Sequence, residues 1–87
     1  NIIPEKNTFL LFPNPATNTV VIKLSEVIIS DFEITIFDAL GKIIEHQTFS
    51  NYNAQTIPLQ LHCDDGIYFV EINSGASKMI NELVVQH

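Results

Sequence analysis

The sequence predicts an all-β fold, an antiparallel β-sandwich of about seven strands. Short apolar runs are separated by turn residues roughly every 8–12 positions, which is typical of such a sandwich. Within the runs, apolar and polar residues alternate with a period of two, and β-branched and aromatic residues are frequent. The predicted strands cover residues 8–12, 18–24, 32–38, 42–50, 54–61, 66–74 and 77–86.

Two features refine this strand pattern. Residues 24–32 are the best helical candidate, but Ser25 and Asp31 favour a loop or a strand edge. Pro58 lies inside the fifth predicted strand, where it cannot donate a hydrogen bond to a neighbouring strand. We therefore expect that strand to lie at the edge of a sheet or to be broken there.

Turn residues predict two tight connections. In residues 38–42, Asp38 is placed to accept a hydrogen bond from the backbone two residues on, and Gly41 suits the positive φ of a bulge. In residues 63–66, Gly66 closes a turn and opens the next strand.

The run "LFPNPA" interrupts the first apolar stretch with two prolines around one asparagine. Pro13 and Pro15 fix their own φ and push Phe12 and Asn14 toward extended geometry. The sequence therefore predicts a stiff connector that lies outside the sheet ladders, in which the Asn14 amide bonds backbone groups.

Composition excludes several classes of protein. The chain has 87 residues, enough for one domain, and a formal net charge of -6. Its cations are four scattered lysines, so it offers no basic face for nucleic acid, and anionic membrane surfaces are disfavoured. No stretch reaches the roughly 20 apolar residues of a membrane span. Cys63 is the single cysteine, so no internal disulfide forms.

Candidate catalytic and metal-binding residues lack a supporting pattern. His46, His62 and His87 have no second ligand at a recognisable spacing and are expected at the surface. Cys63 follows His62, but neighbours on a strand point to opposite faces, so we expect a buried or half-buried thiol. Asp64 and Asp65 precede a glycine but lack the alternating oxygen ligands of a calcium loop. The sequence indicates no cofactor, no metal and no enzyme.

Aromatic residues leave a second class of function open. Phe32, Phe37, Phe49, Tyr68 and Phe69 have strand spacing, which usually places them in the core, and tryptophan is absent. Tyr52 is the aromatic expected to be most exposed. A carbohydrate-binding or adhesive sandwich, or a passive spacer, therefore remains as an alternative function.

Four segments in order resemble one family: residues 11–24, 32–44, 65–72 and 81–86. They carry an aromatic-Pro-Asn-Pro-Ala run, a strand that ends in an Asp-x-x-Gly-Lys turn, a Gly-hydrophobic-Tyr strand and a short apolar last strand. These features are similar to the type A C-terminal sorting domains of the type IX secretion system of Bacteroidota. The motif residues are Pro13, Asn14, Pro15, Asp38, Gly41, Lys42, Gly66, Tyr68, Leu83, Val84 and Val85.

The resemblance implies an immunoglobulin-like sandwich that does no chemistry. Such a domain directs the cargo attached to it from the periplasm across the outer membrane, to the cell surface or the medium. Its partners are the outer-membrane translocon, shuttle proteins and a sortase-like peptidase that removes the domain. We expect residues 1–8 to be a cleavable linker to an upstream cargo, residues 9–87 to be the sorting domain, and the chain to be a fragment of a longer protein.

The remaining expectations concern the last predicted strand and the residues that follow it. We expect the strand around Leu83, Val84 and Val85 to lie at a sheet edge, open to strand addition by a partner, within a recognised segment 81–87. This chain departs from the family in ending with Gln86 and His87, where members commonly carry Lys or Arg. The departure implies either a weaker signal or a terminus at which His87 substitutes for the basic residue.

Overall fold

The predicted strands are all present in the computed structural model, which describes residues 9–25, 31–50, 55–75 and 77–87. The seven strands are β1 (Phe9–Phe12), β2 (Thr19–Leu24), β3 (Phe32–Asp38), β4 (Ile43–Phe49), β5 (Thr56–Gln60), β6 (Gly66–Asn73) and β7 (Lys78–Val85). The described residues include no helix. The expected linker, Tyr52 and the middle of segment 24–32 lie outside the described residues.

The strands form two sheets, which confirms the antiparallel β-sandwich. One sheet has three strands in the order β1-β2-β5, and the other has four in the order β4-β3-β6-β7. Every pair within these sheets is antiparallel. The ladder between β3 and β4 shifts register between Ile36 and Phe37, at a bulge close to the hairpin loop.

The core lies between the two sheets and follows the alternation in the sequence. On β2, Val20, Ile22 and Leu24 are buried, while Lys23 between them is exposed. Phe32 of β3 stacks on Phe49 of β4 with ring centroids 5.0 Å apart. The buried apolar residues are Phe9, Leu11, Ala16, Val20, Ile22, Leu24, Phe32, Ile34, Ile36, Ile57, Leu59, Leu61, Tyr68, Val70, Ile72, Leu83 and Val85.

Pro58 lies in an edge strand, as predicted. β5 ends the three-stranded sheet, and Pro58 is opposite Val21 of β2. Leu24 N donates a hydrogen bond to Gln55 O, and Leu61 N donates one to Asn18 O. In residues 55–61, the backbone N–H and C=O groups of the odd-numbered residues therefore point toward β2. The backbone nitrogen of Pro58 therefore faces away from β2, so its missing N–H costs the sheet no hydrogen bond.

The loop between β3 and β4 also has the predicted chemistry. Asp38 Oδ1 accepts hydrogen bonds from Leu40 N at 2.9 Å and Lys42 N at 2.8 Å. Gly41 has a φ of 89°, which glycine adopts without steric cost. One carboxylate oxygen and one glycine therefore fix the course of this hairpin.

No helix among the residues that the structure describes has the length and hydrophobicity needed to cross a membrane.

The core assignment predicts a difference between two isoleucines of the same strand. Ile72 is fully buried in β6, whereas Ile67 is 47% exposed. We expect Ile72→Ala to lower the free energy of unfolding by about 2–5 kcal/mol, because it removes buried methyl groups and leaves a cavity. Ile67→Ala, the matched control, should change it by less than about 0.5 kcal/mol. Urea denaturation measures both, and equal losses would contradict the assignment.

Candidate functional site

The four motifs of the sequence meet at one end of the sandwich, which we name the motif pole. Register places Asp38 of β3 opposite Tyr68 of β6, and Tyr68 opposite Leu83 of β7. Two residues earlier in β6, Gly66 is opposite Val85. The strand directions bring the connection between β1 and β2, the loop between β3 and β4, the start of β6 and the end of β7 to this pole, whereas β1 begins at the opposite end.

Asn14 is bonded to the last strand. Its Nδ2 donates to Glu82 O at 3.1 Å, and its Oδ1 accepts from Val84 N at 3.0 Å. Both contacts join residues about seventy positions apart in the chain. The prediction that the Asn14 amide bonds backbone groups is therefore confirmed, and the backbone that it bonds is the outer edge of β7.

Ala16 continues this pairing. It forms a parallel bridge with Val85, in which its N donates to Val84 O and Gln86 N donates to its O, both at 2.8 Å. Ala16 is fully buried. We name residues 13–16 and the edge of β7 that they cover the PNPA clasp. The prediction that this connector lies outside the sheet ladders is therefore wrong at Ala16, which pairs with the edge of β7 through one bridge.

β7 ends its sheet as expected, but its edge near the motif pole is not open to strand addition. From Glu82 to Gln86, the outward backbone groups are bonded by Asn14 and Ala16, and Glu82 N donates to Asn81 Oδ1 at 2.9 Å. A partner strand would have to displace the PNPA clasp there. Leu83 and Val85 are buried in the core and Val84 is half-buried, so the first two contribute to folding rather than to an exposed surface.

Lys42 and Gly41 occupy the tip of the adjoining hairpin. Asp38 N donates to Lys42 O at 2.9 Å, and Gly41 N donates to Asp38 O at 3.0 Å. Lys42 is exposed, as is Leu40 beside it. The Asp-x-x-Gly-Lys motif therefore builds a closed turn that displays Leu40 and Lys42 at the motif pole.

Tyr68 ties the connection before β6 to the core. Its ring is buried, and its hydroxyl donates to Asp64 O at 2.8 Å. Burial raises the pKa of Tyr68. Burial also raises the pKa of the half-buried Cys63 thiol. The thiol packs against the core as expected, and His62 beside it is exposed.

His87 and Asp65 form a contact at the exposed side of the pole. His87 N donates to Asp65 Oδ1 at 3.0 Å, and the Nδ1 atom of the same residue lies 2.5 Å from that oxygen. The hydrogen bond with the His87 ring, and after it the bond with the His87 backbone, lowers the pKa of Asp65. This contact fastens His87 to the connection before β6, where residues 63–66 contain a bend at Asp65 rather than the predicted tight turn.

The other side chains considered as metal ligands lie apart from one another. His46 is exposed and pairs with Glu33 at 2.7 Å on the outer face of the four-stranded sheet. Within the described ranges, no three His, Cys, Asp or Glu side chains are grouped so that they could hold a metal ion.

The aromatic residues divide between the core and the surface. Phe32 and Tyr68 are buried, and Phe49 packs against the core, as expected. The expectation is wrong for Phe37 and Phe69, which face each other half-buried on the outer face of the four-stranded sheet. The alternation of the sequence predicts that both rings face outward, because Phe37 follows the core residue Ile36 and Phe69 follows the core residue Tyr68.

Comparison with known proteins gives the family. A family model described as "Secretion system C-terminal sorting domain" matches residues 10–86. The chain belongs to this family of sorting domains. The match covers nearly the whole sandwich, including all eleven motif residues, and it confirms the resemblance that the motifs carry. A search of curated proteins finds no match.

A solved structure supports the fold of this sorting domain. The chain is similar to a part of the crystal structure of dimeric latent PorU from Porphyromonas gingivalis, with a TM-score of 0.61 and 18% identity. The likeness covers 97% of this chain and 10% of that one, so the sorting domain spans about a tenth of the length of that protein. At this identity, the likeness is evidence for the fold alone.

The PNPA clasp predicts a specific loss of stability. Asn14→Ala removes two hydrogen bonds between distant parts of the chain, and we expect the free energy of unfolding to fall by about 1–3 kcal/mol. Asn18→Ala is the matched control, because the bond recorded for Asn18 is formed by its backbone carbonyl, which the substitution keeps. Thermal denaturation compares the two variants. An unchanged melting temperature for Asn14→Ala, together with loss of export, would identify Asn14 as a recognition contact instead.

The contact between His87 and Asp65 predicts a shift that NMR can follow. The pKa of Asp65 should lie below the ordinary aspartate value of about 3.9, and His87→Ala should raise it toward that value. Because the folded-state pKa is depressed, the stabilisation is present above the ordinary value and is lost as the pH falls through the folded one. A pKa of Asp65 that His87→Ala leaves unchanged would contradict the contact.

Proposed function

We propose that this domain is a non-catalytic signal that directs an attached cargo across the outer membrane through the type IX translocon. In this proposal the cargo precedes the domain in the same chain, passes through the periplasm and reaches the cell surface or the medium. A sortase-like peptidase then removes the domain in the segment before β1. The family match over residues 10–86 is the observation that carries the proposal.

The geometry of the motif pole supports a role in recognition. The motif residues come from separate strands, yet they lie together, and many of them hold the pole in shape rather than point into a cleft. Asp38 fixes the hairpin, Asn14 fastens the edge of β7, and Tyr68 anchors the connection before β6. A surface held in this way presents the same shape to each partner, which reduces the cost of binding.

The burial of β7 changes how the signal should be tested. Deleting the last six residues would remove Leu83 and Val85 from the core and free Asn14 and Ala16 from their partners. Such a truncation would abolish export through unfolding, whether or not the segment is recognised. Exposed positions give a cleaner test, and His87 is one of them.

Export of a fusion tests the proposal. Residues 1–87, attached to the C-terminus of a fluorescent protein that is exported to the periplasm, should bring fluorescence to the surface or the medium in a host with a type IX translocon. In a strain without the translocon the same fusion should stay in the periplasm. Fractionation of cells and medium measures both distributions, and protease resistance of the retained fusion shows that the domain is folded.

Two controls complete this test. A fusion without the domain reports non-specific release, and His87→Lys introduces the basic residue that family members commonly carry after the last strand. Higher export of His87→Lys would show that histidine at position 87 makes a weaker signal, whereas equal export would show that His87 suffices. Retention of the folded wild-type and His87→Lys fusions in the competent host would contradict the proposed function.

A further inference from the structure

An apolar surface lies beside the motif pole on the outer face of the four-stranded sheet. Register places Ile43, Phe37 and Phe69 side by side across β4, β3 and β6, and Ile67 beside Val84 across β6 and β7. We name this surface the groove face. Its members are Phe37, Ile43, Ile67, Phe69, Ile80 and Val84.

These side chains remain accessible in the folded domain. Ile43 is 57% exposed, Ile67 47% and Ile80 59%, and Leu40 in the adjoining hairpin is 94% exposed. Single exposed apolar residues are ordinary, but a contiguous group on one face is typical of an interaction site. The groove face therefore has the composition of a surface that another molecule covers.

A groove of about 330 Å³ lies in this surface. It is lined by Phe37, Asp38, Ala39, Gly41, Phe69 and Ile80. Asp38 is the one ionisable residue in the lining, and its Oδ1 already accepts two backbone hydrogen bonds. An apolar side chain fits this chemistry better than a sugar, because a sugar needs hydrogen-bonding groups to replace its water.

The charges around the groove face select the kind of partner. Glu82 lies beside Phe69, and its carboxylate forms no ion pair with the described residues. Two further carboxylates on the outer face of this sheet are paired, Glu71 with Lys78 at 3.5 Å and Glu33 with His46. A second copy of the chain would bring the same carboxylates and a further net charge of -6, which is unfavourable.

We infer that the groove face is the docking site for a partner protein that presents an aliphatic or aromatic side chain to the groove and Lys or Arg to Glu82. The inference rests on the proposed function, because a sorting signal acts by being bound by other proteins. It assigns the contact to a sheet face beside the motif pole, and not to the covered edge of β7.

The test compares two exposed residues on opposite sides of the sandwich. Ile80 is 59% exposed on the groove face, and Leu10 is 63% exposed on the three-stranded sheet. In the fusion described above, Ile80→Asn should lower the exported fraction roughly tenfold, as expected for a contact at the centre of an interface. Leu10→Asn should leave export unchanged. Melting temperatures close to the wild type establish that both variants fold.

Charge reversal and crosslinking give a readout that does not depend on export. A photo-crosslinking amino acid at position 80 should form an adduct with a cell-envelope protein that the same group at position 10 does not form. Glu82→Lys should abolish the adduct and Glu82→Gln should weaken it, while both keep the backbone carbonyl that Asn14 bonds. No adduct at position 80, or one unaffected by Glu82→Lys, would overturn the inference.

The remaining outcomes separate the inference from the proposed function. Wild-type export with equal export of Ile80→Asn would overturn the docking site and leave the sorting role intact. Retention of both the folded wild-type and His87→Lys fusions would refute the sorting role, while the charge-dependent adduct would still decide the docking site. A dimer of the purified domain that Ile80→Asn dissociates, or oligosaccharide binding that it abolishes, would replace the partner protein with a second copy or a glycan and overturn the inference.

Discussion

The rest of the structure depends on the attachment of residues 13–16 to the edge of β7. β1 belongs to the three-stranded sheet and β7 to the other, and the chain between β1 and β2 crosses to the far sheet to bond Glu82 and Val84 through Asn14. Ala16, fully buried, completes the crossing. The two sheets are thereby joined by hydrogen bonds as well as by apolar contact.

This attachment explains why two prolines flank one asparagine. A side chain that must bond two backbone groups at once loses conformational freedom, and the cost is smaller when the flanking backbone is already stiff. The same bonds occupy backbone groups that an edge strand would otherwise expose to strand addition or aggregation. One short motif therefore both joins the two sheets and covers an exposed strand edge.

Features that depend on neighbouring residues could be predicted from the sequence, whereas contacts between distant parts of the chain could not. Alternation located all seven strands, Asp38 and Gly41 predicted their hairpin, and Pro58 predicted an edge strand. Each of these depends on neighbours within a few residues. The partner of Asn14 is about seventy positions away, and nothing in its local sequence specifies which strand edge its amide meets. The outward position of Phe37 and Phe69 follows from the alternation, against the general tendency of aromatic side chains to be buried.

The strand directions also set where the domain meets the chain that precedes it. Phe9 begins β1 at the end of the three-stranded sheet away from the motif pole, and its carbonyl oxygen accepts a hydrogen bond from Asn81 Nδ2 at 2.9 Å, in the middle of β7. At about 3.3 Å per residue, the part of β7 from Asn81 to Val85 spans roughly 13 Å. A chain attached before Phe9 therefore leaves the domain beside the middle of β7. The hairpin between β3 and β4 lies two strands away from that edge, so a molecule bound there would not compete with the preceding chain for the same space.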